Sequence, residues 1–222
     1  MKITGNVLIA ILVFAIVCLS NKPVQDKIDV HQLWLECKLE NEIPFETFNV
    51  ALLGYQKIDT SFKKNFISII DFSRPSTEER FFVIDLKNKK LLYKCFVAHG
   101  KNSGGNFAKS FSNESGSLQS SLGFFLTAET YSGDHGYSLR LKGLEKGIND
   151  NARAREIVVH GAEYVSEEFI QKYGRLGRSW GCLALPVSIS KEIIDKISGG
   201  SCLFIYADDN YYKKNSTILT TK

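Results

Sequence analysis

Phe81-Phe82-Val83-Ile84-Asp85-Leu86, then Lys87-Asn88-Lys89-Lys90, then an apolar run over residues 91–98, reads as a β-hairpin closed by a polar turn. Downstream, residues 101–121 are rich in Gly, Ser and Asn and predict a loop, whereas residues 123–128, 138–141, 157–160 and 202–206 predict further strands. Between the last two, residues 188–197 place Ile189, Ile193, Ile194 and Ile197 on one helical face, and Gly199-Gly200 ends that helix. Upstream, the turn cluster Ser73-Arg74-Pro75-Ser76-Thr77 marks a boundary. Before it, Leu33, Cys37 and Glu40 share a face within residues 26–58, and Pro44 opens a second helix carrying Phe45, Phe48, Ala51, Leu52 and Tyr55. Residues 208–222 are polar and expected to fray. The fold class expected is mainly β with α (α+β), a single body behind a short helical extension.

Composition narrows the function. With 44% hydrophobic and 23% charged residues, the 222-residue chain is neither disordered nor a multi-span membrane protein. A formal charge of +4, with no Lys/Arg block, is too weak to predict a nucleic-acid partner.

The N-terminus reads as an address. Residues 7–19 are unbroken apolar sequence, preceded by Lys2 and followed by Ser20-Asn21-Lys22-Pro23. That is shorter than the roughly 20 residues a spanning helix needs and fits a signal-peptide core. Cys18 and Ser20 occupy the −3 and −1 positions of a cut after Ser20, so residues 1–20 are expected to be a signal peptide and the protein to be exported to the cell envelope. An uncleaved anchor is the alternative, and only then would the N-terminus stay at a membrane. Lipid attachment at Cys18 is a third reading, against which Ile16 and Val17 make a poor lipobox. Cleavage leaves Cys37, Cys95, Cys182 and Cys202 and, with Lys2 gone, lowers the charge from +4 to +3.

The chemistry concentrates in His160-Gly161 and, seventeen residues on, Arg178-Ser179-Trp180-Gly181-Cys182. A histidine ending an apolar strand presents its ring at a sheet edge. A cysteine in a glycine-flanked turn has an accessible sulfur, and Gly181 permits a tight turn whose N–H groups converge on a developing oxyanion. Cysteine and histidine together suffice for nucleophilic acyl transfer. By spacing alone, an inert core thiol or a Cys182–Cys202 disulfide reads equally well.

These residues resemble the catalytic signature of the L,D-transpeptidases that cross-link bacterial peptidoglycan, in which a His-Gly at a strand end is followed by Ser-His-Gly-Cys. The resemblance spans roughly residues 80–206, with Ser120-Ser121-Leu122-Gly123-Phe124-Phe125 standing where the family has Thr-Pro-x-Gly-x-Phe. The wording is closest to a divergent YkuD-like branch, the murein L,D-transpeptidase catalytic domain family. It shares Val97-Ala98-His99-Gly100, Leu139-Arg140-Leu141 with Gly143-Leu144-Glu145, and Tyr164-Val165 after His160-Gly161-Ala162.

The resemblance implies a β-sandwich catalytic domain over residues 76–207, behind a helical extension at 21–75 and before a polar tail at 208–222. It implies Cys182 as nucleophile, His160 as base and the Gly161 carbonyl as the group orienting the imidazole. Ser179, Gly181, Arg178 and His99 are the expected substrate and oxyanion residues. The implied partners are donor and acceptor stem peptides of peptidoglycan, acted on by a monomer without metal or organic cofactor. Two positions depart from the family: Trp180 replaces the histidine of Ser-His-Gly-Cys, and Ala184 stands where many members carry arginine. Hydrolysis of the same bond, as an L,D-carboxypeptidase, and an inactive wall-binding protein with oxidised Cys182 are the alternatives.

Among the remaining polar residues, His135 in Ser132-Gly133-Asp134-His135-Gly136 reads as a substrate contact or an exposed loop residue, and His31 as a surface residue. One of Arg140, Arg153 and Arg155 is expected to hold a stem carboxylate. Zinc is disfavoured, because the histidines and Cys182 lack the short ligand pairs of such sites.

Overall fold

The computed structural model describes residues 29–58 and 62–220, so the expected signal peptide at 1–20 lies outside the described residues. Two helices open the described chain, α1 (Val30–Glu36) and α2 (Phe45–Lys57). Asp29 caps α1, its carboxylate accepting from the Gln32 N–H at 3.0 Å. Helix α2 starts after Pro44 and buries Phe48, Ala51 and Leu52. Strands β1 (Phe66–Asp71), β2 (Phe81–Asp85), β3 (Lys90–Cys95), β4 (Gly123–Gly133), β5 (Gly136–Gly143) and β6 (Val158–Gly161) follow. The chain then runs through α3 (Glu167–Tyr173), β7 (Leu183–Leu185), α4 (Val187–Ile197), β8 (Cys202–Tyr206) and α5 (Asn210–Asn215).

All eight strands form one mixed sheet in the order β3-β2-β1-β8-β4-β5-β6-β7. Two pairings are parallel, β1 with β8 and β6 with β7. The sandwich implied by the resemblance takes the form of a sheet that returns on itself. Just past β3, the Ala98 N–H donates to Ala184 O on β7 at 2.8 Å, so the two ends of the strand order meet. Phe81, Phe82, Phe124, Phe125 and Phe204, all fully buried, belong to one apolar core with Phe48 and Leu52 of α2 and Ile193, Ile194 and Ile197 of α4.

Two expected boundaries move. Residues 66–71, placed in the helical extension, are a strand between β2 and β8, so a division at residue 75 cuts through the sheet. The polar tail is also docked rather than frayed. Helix α5 buries Tyr212, and its hydroxyl donates to the fully buried Glu145 carboxylate at 3.0 Å, beside the Ser216 hydroxyl on the same carboxylate. The Phe124 N–H gives Glu145 a further bond at 2.9 Å, which ties the tail to β4 through one buried carboxyl group.

Candidate active site

His160 is the penultimate residue of β6, and the register places Ser138 of β5 on one side of it and Ala184 of β7 on the other. Gly161 follows because helix α4 leaves no room for a side chain: a Cβ there would lie 2.5 Å from Ser190 Oγ. The free carbonyl of Gly161 lies 3.0 Å from His160 Nδ1. A carbonyl can only accept, so Nδ1 carries the proton and Nε2 keeps its lone pair. Burial pulls the His160 pKa below its ordinary value, only partly opposed by the Gly161 bond, and the ring is a neutral base at pH 7.

Cys182 lies immediately before β7, in a turn built by its own motif. Ser179 Oγ donates to Cys182 O at 2.6 Å and accepts from the Gly181 N–H at 3.1 Å. Gly181 holds φ at +127°, and a Cβ there would come within 2.8 Å of both Gln119 O and Ile157. The Ser120 hydroxyl pins the turn from behind, donating to Gly181 O at 3.0 Å. The sulfur is buried, and its thiol donates to Glu156 O at 3.4 Å. Burial pushes the thiol above its ordinary 9.0, while the Val158 N–H and the Arg155 charge pull it back. The four described cysteines are all free, so no Cys182–Cys202 bridge forms.

Cys182 stands between two cavities. One, of about 170 Å³, is lined by His135, His160, Tyr164, Arg178, Ser179, Trp180 and Cys182. The other, of about 270 Å³, shares His135, Trp180 and Cys182 and adds Tyr131, Arg140 and Arg155 among others. A larger cavity of about 420 Å³, walled by Glu79, Phe96, Glu163 and Val187, contains neither Cys182 nor His160.

The expected site residues therefore divide. Cys182, His160, Ser179 and Arg178 line one cavity, Arg178 also donating to Gly104 O at 3.1 Å. Gly161 and Gly181 shape it from behind, but the Gly181 N–H is spent on Ser179 Oγ and does not point at an oxyanion. His99 lies outside both Cys182 cavities. Its Nδ1 accepts from the guanidinium of buried Arg80 at 2.8 Å, and burial with that charge lowers its pKa to about 4.

Three aromatic or histidine side chains complete the cavity walls. His135, at the β4–β5 turn, stacks on His160 with ring centroids 4.6 Å apart. Trp180, 77% exposed and at the position of the family's second histidine, lines both cavities with Cys182. Tyr164 forms a wall, its phenol pushed up to about 12 by burial. The sequence reads His135 as a substrate contact or an exposed loop residue and Trp180 as a departure from the family, while Tyr164 carries only the common signal of an aromatic near a motif. Among the described residues, no three His, Cys, Asp or Glu side chains gather as metal ligands.

The L,D-transpeptidase catalytic domain is the family that matches this chain, over residues 39–206. No curated protein sequence matches it. Among solved structures, it is similar to an L,D-transpeptidase from Mycobacterium smegmatis (15% identity, TM-score 0.40, covering 64% of this chain and 59% of that one). It is also similar to an L,D-transpeptidase from Mycobacterium tuberculosis H37Rv (11%, 0.42, 64% and 58%). A third is the helical cell shape determining protein of Campylobacter jejuni (13%, 0.41, 72% and 55%). The chain thus spans less than two thirds of the length of these structures. Because the family match begins at residue 39 and takes in part of the helical pair, β1 and every strand of the site, the chain belongs to the L,D-transpeptidase catalytic domain family.

Proposed function

We propose that this protein is an L,D-transpeptidase of the cell envelope that acts on peptidoglycan stem peptides through a Cys182 thioester. The observation that carries the reading is a nucleophile and a base on the wall of one cavity, with the base held as its Nδ1–H tautomer by Gly161 O. Both groups rest neutral, so catalysis begins with a proton transfer rather than from a standing ion pair.

In the first half-reaction the Cys182 S–H turns from Glu156 O to His160 Nε2 and gives up its proton. The sulfur attacks the carbonyl carbon at the L-centre of the donor's third residue. The carbonyl oxygen becomes an oxyanion, received by the Cys182 N–H, which takes no acceptor among the described residues. The C–N bond to the terminal D-amino acid then breaks, His160 returns the proton to the leaving amine, and a thioester remains. In the second half-reaction an acceptor amine adds to the thioester and its proton passes to His160. The C–S bond breaks and the sulfur is reprotonated, leaving a new amide cross-link.

Intact-mass measurement with a stem tetrapeptide tests the scheme. The expected result is an acyl adduct on the wild-type protein that is absent from Cys182→Ala. With an acceptor amine present a cross-linked dimer is expected, whereas trimmed stems alone would assign the protein to the carboxypeptidases. A Cys182→Ser protein with full activity would refute the nucleophile.

A further inference from the structure

The family's usual motif arginine is absent here, and the residue in its place, Ala184, is fully buried with Ala98, Ala162, Val165 and Leu176. No side chain at position 184 reaches the cleft. Two arginines nevertheless line the larger Cys182 cavity. Arg155 is committed: its guanidinium donates to Ser112 O, Ser121 Oγ, Ser117 Oγ and Gln119 O, holding the 112–121 loop. Arg140 is held more loosely, by an ion pair with Glu129 at 3.6 Å. None of its N–H donors enters a hydrogen bond among the described residues, whereas every other arginine in the chain donates at least one.

Arg140 is also well placed. On β5 it pairs with Val158 of β6, two residues before His160 on the same face of the sheet, and the Val158 N–H is the one that reaches the Cys182 sulfur. Two residues along a strand is about 6.6 Å, the distance of a near neighbour of the scissile bond in an extended peptide. The guanidinium sits over the Tyr131 ring, its Cζ 4.1 Å from the centroid. Its ion pair with Glu129, at 3.6 Å from Nε, is longer than a hydrogen bond and shares a carboxylate that Arg153 holds at 2.6 and 3.3 Å. The cavity's own acids, Asp134 and Glu156, are exposed and screened by water.

We propose that Arg140 is the anion-binding residue of the donor cleft, its planar fork receiving a carboxylate of the stem peptide beside Cys182. The identity of the ligand rests on the stem-peptide reading above. A guanidinium over an aromatic ring with no donor in a hydrogen bond matches a carboxylate in both charge and two-pronged geometry. A stem offers such a group at the terminal D-residue or at the D-centre of a diaminopimelate side chain, and the recognition is the same in both cases.

Calorimetric binding of a diaminopimelate-containing stem tetrapeptide to Cys182→Ala protein tests this without turnover. Adding Arg140→Gln is expected to weaken binding about 10–150-fold, the loss of one charge-assisted pair. Arg140→Lys should fall between, keeping charge without the fork. Amidating the terminal carboxylate in one peptide and the side-chain carboxylate in another identifies the source, since Arg140→Gln should cost nothing further with the peptide lacking the recognised group. An Arg140→Gln substitution that costs no affinity with any of the three peptides, or costs the same with all three, overturns the assignment, as does the absence of binding by Cys182→Ala. Iodoacetamide alkylation of Cys182 at the wild-type rate in Arg140→Gln shows that the cleft is intact. Arg140-dependent binding together with a wild-type protein that never acylates would retain the anion site and discard the transpeptidase.

Discussion

Two histidines in this protein carry the same local signature and have opposite fates. His99 and His160 each end an apolar segment, precede a glycine and are almost fully buried, at 1% and 3% exposure. His99 has both nitrogens engaged, Nδ1 by Arg80 and Nε2 facing Gly104 O at 3.4 Å. His160 has one nitrogen engaged by Gly161 O, and its ring borders the Cys182 cavity. Burial alone thus makes neither ring functional; what separates them is whether the second nitrogen is spent inside the fold.

The hardest way to break this comparison is to substitute both rings. His160→Gln is expected to lower the acylation rate about 10²–10⁴-fold, the usual worth of a positioned base. His99→Gln should leave the rate per folded molecule within about threefold, since truncating a group outside the cleft costs no transition-state contact. Equal losses in the two variants would abolish the distinction.

The pH dependence of stability is the next test. The fold accommodates a neutral His99, so as pH falls the unfolded chain takes up its proton first. Stability from this group is therefore full above about 6.5 and is lost as pH falls toward 4. The loss is on the order of 3 kcal/mol, readable in urea unfolding at stepped pH, and His99→Gln should remove most of that slope.

The nucleophile offers a smaller effect. Alkylation of Cys182 without substrate should rise with pH through a midpoint above the ordinary thiol value of 9.0. Arg155→Gln should move the midpoint higher still, because the Arg155 charge favours the thiolate. A midpoint below 7 would show a resting ion pair and contradict the neutral dyad.

The smallest expected change comes from His135→Ala. The stacked His135 holds the His160 pKa down, so its removal should shift the acid limb of kcat/KM to higher pH, with only a few-fold loss at neutral pH.

How much of this was legible in the residues follows from the range of the forces involved. The hairpin at 81–98, the strand at 202–206 and the helix before Gly199-Gly200 are periodic and locally punctuated, and they form where expected. Strand β1 was not read because its last five residues are all buried, leaving no alternation to distinguish it from a buried helix segment. The motif pair His160 and Cys182 was legible because His-Gly and Gly-Cys carry local backbone demands. His99 could not be told from His160 because the group that neutralises its role, Arg80, lies nineteen residues away and is fully buried, where arginines are rare. Arg140, Arg153 and Arg155 were equivalent in sequence. Glu129 of β4 and the 112–121 loop separate them, holding Arg153 and Arg155 by hydrogen bonds and Arg140 only by a longer ion pair.

The return of the sheet upon itself also bears on how these molecules behave when crowded. An open sheet exposes unpaired strand edges that recruit other chains. Here the short β7 edge is engaged by the Ala98 bridge. The far edge, β3, carries Lys90 and Lys94 and pairs with β2 through a register shift at Val83/Ile84. Neither edge presents a long, flat, apolar ladder, so the closure that joins Ala98 to Ala184 also guards the native protein against strand-to-strand aggregation.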